Sequence, residues 1–416
     1  MTITIQEQKK SIQQCHIHFL EEQQFKTNVI TILLRIPLTR QNTTKTALLA
    51  EVLKNGCKKY PSKREVSQKM DDMLGSVFDV SILKKGQEQI LFFYLETVKY
   101  EKELLKQGFD FLQNMLFAPL QEGKGFPKKI VQREKKILEE KIKSRQDDKK
   151  EYAKIRCLEE MCKENAFGIF ADGYIEDIKE IDEMVLLMHY KNIIKHSKVE
   201  IFMTGEKQQK NDMIELANKM PFQSDFLWQT EPIILKQNKE IKQVKQTLHT
   251  AQSRIVLGFD TNVMPEQKEF ASLLICNELF GGSPTSLLFQ NVREKEGACY
   301  DINSFLFRLC PILMVKAGIE KQYYNKAVEM IKNSLKSLQE KTIEKQELEQ
   351  AKQSIIRYYI SMKDSQTALM DFALNEWILK TNRTIEQFIK EIEQVTEQDI
   401  QKRAKQLCLN TIYFLQ

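Results

Sequence analysis

No stretch of this chain approaches the roughly 18 uninterrupted apolar residues of a membrane-spanning helix, so no membrane span is expected. Residues 1–14 are polar and lack the apolar centre of a secretory signal. The eight cysteines, at 15, 57, 157, 162, 276, 299, 310 and 408, contain no Cys-x-x-Cys pair, and several fall within apolar patterns. That distribution reads as reduced thiols in a cytoplasmic protein rather than a disulfide framework. Beyond Phe126, no aromatic residue interleaves with the charges of the one basic stretch, 124–150, where eleven Lys/Arg meet five Asp/Glu. Stacking platforms for nucleic acid are therefore missing, and no nucleic-acid partner is expected. The stretch reads as the solvated face of one long helix, able to attract an acidic peptide or a partner subunit.

What is present suffices for packed structure. At 416 residues the chain is long enough for two or three domains, and 42% apolar content excludes wholesale disorder. A pattern of elements occurs twice. Thr27–Ile36 alternates as a strand, and Thr46–Leu53 forms a short helix stopped by Gly56. Ser62 and Glu65 make a capping box for a helix ending at Gly75. Strands Ser76–Leu83 and Gln89–Thr97 follow, then a helix striped by Leu105, Phe109, Leu112 and Leu116, a charged helix from Pro127, and a strand at Val199–Thr204.

The second pass has strand Ser253–Phe259, helix Glu266–Phe280, strands Cys299–Leu306 and Ile312–Gly318, and a helix over 321–339. Another helix begins near Ile343, and Thr411–Leu415 is a final strand. Corresponding starts, 27 and 253, 76 and 299, 127 and 343, keep a nearly constant offset. The expectation is an α+β fold of two related halves, each an antiparallel-rich sheet covered by helices. The halves would span 1–222 and 247–416, joined by a polar linker at 223–246.

The most specific signal lies between Leu279 and Tyr300. A helix ends at the turn Gly281-Gly282, Ser283 and Pro284 open a second short helix carrying Arg293, and Tyr300 begins a strand. This run resembles the insulinase, pitrilysin and mitochondrial processing peptidase family, whose members carry an inverted zinc motif. The resemblance implies that Arg293 and Tyr300, seven residues apart, act in catalysis. Arg293 would bind the substrate main chain, and Tyr300 would stabilise the oxyanion of the peptide carbonyl. Gly281, Gly282 and Ser283 would bind substrate, and a strand edge nearby would pair with an extended peptide.

The same resemblance places His-x-x-Glu-His on the first helix of the first half. Here Ala47 and Glu51 stand at the ligand positions and Ala50 at the base, while Lys141, next to Glu140, stands where the distant carboxylate is expected. The five histidines, 16, 18, 189, 196 and 249, include no pair four apart with Glu between. No metal and no cofactor is therefore expected in this chain. His16 and His18 read as surface or interface residues, and Cys157 and Cys162 as core thiols. The implied function is that of a zinc-less subunit, inactive alone, which pairs with a homologous zinc-bearing subunit to cleave peptides. The alternative is an inactive structural or peptide-binding scaffold of the same fold.

Overall fold

The computed structural model describes residues 3–6, 15–99, 102–226, 228–229, 233, 240–248, 250, 252–340 and 342–416. Two units emerge, one drawn from Met1–Ser144 with Ile169–Glu231 and the other from Arg145–Gly168 with Pro232–Gln416.

In the first unit, strands β1 (Ile3–Gln6), β2 (Cys15–Glu21), β3 (Thr27–Pro37), β4 (Val77–Lys85), β5 (Glu88–Val98) and β6 (Lys198–Gly205) form one sheet. Their order is β1-β2-β6-β3-β5-β4. In the second, β7 (Lys242–Gln246), β8 (Ser253–Asp260), β9 (Asp301–Leu306), β10 (Ile312–Ile319) and β11 (Cys408–Leu415) have the order β7-β11-β8-β10-β9. Apart from β1, the two orders are the same arrangement. Each sheet also has its one parallel pair at the same place, β2 with β6 and β7 with β11. The α+β duplication expected from the offsets is thus a duplication of topology.

Helices α1 (Arg40–Leu53), α2 (Lys63–Asp72), α3 (Lys102–Phe117) and α4 (Lys128–Lys143) belong to the first unit, as do α6 (Ile175–Ile178), α7 (Glu183–His196) and α8 (Lys210–Asn218). Helix α5 (Lys149–Met161) belongs to the second, with α9 (Phe270–Asn277), α10 (Tyr324–Glu340), α11 (Lys345–Ser361), α12 (Gln366–Ile378), α13 (Ile385–Glu393) and α14 (Glu397–Gln406). Period-2 patterning directs Ile30, Ile32 and Leu34 of β3 into a core shared with Leu48 and Leu49 of α1 and Phe109 and Leu112 of α3. The Ser62 cap forms as expected, its hydroxyl accepting from Glu65 N at 3.3 Å.

Four features depart from the sequence-based expectation. The basic stretch is not one helix, because α4 ends at Lys143 and a turn at Ser144–Gln146 precedes α5. Helix α5 then packs with the second unit, where Ala153, Cys157 and Leu158 meet Val256, Met314 and Tyr413. The second sheet therefore has helices on both faces, since Phe259 on the opposite face meets Phe280. The stretch expected as linker contains β7, which pairs with β11. Finally, α1 begins six residues earlier than expected. Its threonines favour helix poorly in isolation, but tertiary bonds override that: Thr43 donates to Phe170 O and Thr44 to Asp177.

His18 corrects a further expectation. It is buried, not at the surface, and lies 2.8 Å from Glu200. Arg35 donates to Glu200 at 2.6 Å and to Glu88 at 2.7 Å, so one guanidinium ties β3, β5 and β6 together. Burial disfavours an ionised Glu200, but His16, His18 and Arg35 outweigh it and hold the carboxyl well below the usual range. A group depressed in the folded state contributes stability above its ordinary value, and loses it as pH falls through that value and below. Glu200→Gln should lower unfolding free energy by about 3 kcal/mol at neutral pH and flatten the acid dependence of the urea midpoint. A variant with wild-type midpoints at pH 7 and pH 4 would show that the network carries no stability.

Candidate substrate-binding site

The motif segment is built from two rare wide turns of helix. The residues Glu278–Gly282 and Phe289–Lys295 are both π-helical, a form found frequently at functional sites. Leu288 and Val292, four apart, are fully buried and anchor the second of these turns. Arg293 on the next position faces outward, its guanidinium carbon 4.7 Å from the Phe289 ring centre. Gly297, at φ 56, then reverses the chain in a left-handed conformation that glycine accepts without cost.

Ala298 and Cys299 return to the core, and Tyr300 emerges 57% exposed. Its backbone N–H donates to Gly318 O at 2.8 Å, which continues the pairing of β9 with β10. Strand β9 is the outermost strand of its sheet. The structure therefore presents Arg293 and Tyr300 outward on either side of the Gly297 turn, and among the described residues they share no hydrogen bond.

The glycines serve a packing purpose. A Cβ on Gly281 would stand 2.6 Å from Ser304 Oγ and 2.6 Å from Leu288 Cδ1, so the turn lies directly against β9. A Cβ on Gly282 would stand 2.9 Å from Glu278 Oε2. The chain approached most closely by Gly281 is thus its own edge strand. Ser283 donates to Glu278 O at 3.3 Å. It lines a cavity of about 620 Å³ with Glu278, Thr285, Gln290, Glu347 and Arg357, and neither Arg293 nor Tyr300 borders that space.

Glu320 is the residue that sequence inspection missed. It ends the β10 segment and precedes a short helical turn, yet its carboxylate caps no helix. It accepts instead from the Tyr300 hydroxyl at 2.9 Å and from Gln322 at 2.8 Å. Hydrogen bonding to Glu320 and its charge raise the Tyr300 pKa, and the phenol hydroxyl donates to that carboxylate.

Among the described residues, the expected metal positions of the first unit carry no metal-binding set. Ala47 and Ala50 of α1 are buried, and the Glu51 carboxylate lies 3.4 Å from Lys54. Lys141 is engaged with Asp172 at 2.9 Å. The buried carboxylate that α4 turns toward the end of α1 is Glu134, which accepts from Asn55 at 3.1 Å and from Arg133. Alanine has no donor atom for zinc and the carboxylates are paired, so these residues do not fit the metal. Among the described residues, no group of three or more His, Cys, Asp or Glu is placed to hold one.

Two related sheets, an exposed Arg and Tyr after a glycine turn, and a metal helix without ligands together define a metallopeptidase-like protein that has lost its metal half-site. Residues 183–355 match the family described as the peptidase M16 inactive domain. The chain is 28% identical over 403 residues to the "Probable inactive metalloprotease YmfF" of Bacillus subtilis, covering 96% of this chain and 95% of that one. A conserved protein from Enterococcus faecalis superposes with a TM-score of 0.91 at 25% identity, covering 98% of this chain and 97% of that one. A peptidase M16 inactive domain from Pseudomonas fluorescens gives 0.81 at 12% identity, covering 100% and 98%. Across nearly its whole length the chain is therefore similar to proteins described as inactive homologues of the M16 peptidases.

Removing the Glu320 charge should release Tyr300. In NMR of tyrosine-labelled protein, with Tyr300→Phe to assign the signal, Glu320→Gln should shift the Tyr300 titration toward lower pH. An unchanged midpoint would mean that Glu320 does not govern the phenol.

Proposed function

We propose that this chain is the metal-less subunit of a heterodimeric peptidase, supplying Arg293 and Tyr300 to substrate held at the zinc site of a homologous partner. The observation that carries this is the Tyr300 phenol, exposed at the start of an edge strand with its hydroxyl donating to Glu320. A peptide carbonyl gains negative charge as it is attacked, and a preorganised O–H donor lowers that barrier. Tyr300 would exchange Glu320 for the developing oxyanion. Arg293 would bind the peptide main chain, while Gly281, Gly282 and Ser283 hold the turn that presents both. Water activation falls to the partner, because Ala50 has no group to accept a proton. The extended peptide would add to the open edge of β9, where backbone pairing reads conformation before sequence. The setting would be cytoplasmic.

A sibling carrying His-x-x-Glu-His, encoded beside this chain, is the partner to test. Co-purified, the two should cleave peptides, with about one zinc in the partner and none in this chain by mass spectrometric metal analysis. Tyr300→Phe should lower kcat by about 10²-fold with assembly intact, the scale of losing one oxyanion donor. Arg293→Ala should raise KM. Unchanged turnover in Tyr300→Phe would favour the inactive scaffold, and stoichiometric zinc with activity in this chain alone would overturn the proposal.

A further inference from the structure

The face of the second sheet that meets α5 carries charge beside β9. Arg254, Gly318 and Asp301 stand opposite one another across β8, β10 and β9. Two residues along the same face come Val256, Lys316 and Asn303. Gly318 has no side chain to separate the first row: a Cβ there would lie 2.2 Å from Asp301 Oδ1 and 2.3 Å from Arg254 Nη1. The Asp301 carboxylate receives Arg254 at 2.7 Å and, from the first turn of α5, Lys150 at 2.6 Å. Burial opposes ionisation of Asp301, but these two cations outweigh it and keep its pKa low.

Lys150, Arg254, Lys316 and Asp301 line one depression of about 10 Å³, room for a single oxygen-sized guest. Three cations there face one carboxylate. The Nε of Arg254 is buried and has no hydrogen-bond partner among the described residues. A buried donor left without an acceptor is costly, and an oxygen acceptor would satisfy it. Lys316 and Lys154 add positive charge nearby, 5.2 and 5.7 Å from the Phe305 ring centre.

We infer that the lysines lining this depression, Lys150 and Lys316, attract an acidic side chain of an extended peptide paired with β9, with at most one carboxylate oxygen entering the depression, so that the chain selects acidic peptides. The assignment rests on β9 being the substrate-pairing edge. Asn303 is exposed on this face of β9, and among the described residues no strand lies beyond it. A peptide strand there would stand two strand spacings from β10, roughly 9.6 Å. That distance is within reach of the flexible stem of Lys316 and a peptide Asp or Glu.

The test uses the full chain and two fluorescent ten-residue peptides of high β propensity, identical except for Glu or Lys at alternate positions. Anisotropy at about 50 mM salt should show the acidic peptide bound about tenfold more tightly, the order that two exposed ion pairs supply. The advantage should shrink at about 300 mM salt. Lys150→Gln with Lys316→Gln should abolish it, with an unchanged circular dichroism spectrum. Tyr300→Phe should retain it, which separates this subsite from the catalytic reading: cleavage can fail to depend on Tyr300 while the acidic preference stands. Equal affinity for the two peptides, no binding of the acidic one up to about 1 mM, or a preference that survives the double substitution would overturn the inference. Competition by a single-stranded oligonucleotide as effective as the acidic peptide would overturn it as well, and would assign the patch to phosphate.

Discussion

The contact of Gly281 with strand β9 is the constraint on which the exposed half-site depends. With Ser304 at the place where a side chain would begin, the glycine turn and the edge strand form one packed body. The wide helical turn that follows is anchored through Leu288 and Val292, and Arg293 is displayed from it. Tyr300 leaves the same core through Cys299 and joins the sheet by its backbone bond to Gly318. Any larger residue at 281 would have to separate the turn from β9, and both functional side chains would lose their common frame.

The two related halves carry unequal chemistry. In the first unit the helix that would hold a metal is filled with alanine and stabilised by purely structural bonds. Thr43 and Thr44 hold the segment around Phe170 and Asp177, and Asn55 pairs with Glu134. Gly173, at φ 77, lies against Thr44 so closely that a Cβ would stand 2.2 Å from its hydroxyl oxygen. Thr43, Thr44 and Asn55 are thus engaged with neighbouring polar groups, whereas in the second unit Tyr300 and Arg293 are turned outward. The core residues of the two units form separate clusters, so the packing of the second does not depend on a metal in the first.

Electrostatics distinguishes the two sides of β9. On one side the Tyr300 hydroxyl donates to an exposed carboxylate, Glu320. On the face toward α5, cations from α5, β8 and β10 converge on Asp301 and outnumber it. The contribution of α5 is decisive there, since Lys150 is distant in sequence from every strand it serves. The break in helix between α4 and α5 is what allows a segment of the N-terminal half to reach the second sheet.

Periodicity and spacing by themselves determined the described strands other than β1, β2 and β7, about half of the helices, and the duplication, while the family resemblance pointed to alanine at positions 47 and 50 of the expected zinc motif. Those are properties of local pattern or of residue chemistry, and no neighbour can alter them. The exposed pair Arg293 and Tyr300 was legible for the same reason, because a glycine turn, an anchored short helix and a strand start are written in adjacent residues. Glu320, the buried His18–Glu200–Arg35 network, and the transfer of α5 to the second unit were decided only by tertiary structure. Each brings together groups far apart in the chain. A carboxylate or histidine in a strand pattern looks the same from sequence whether it faces water or a buried partner.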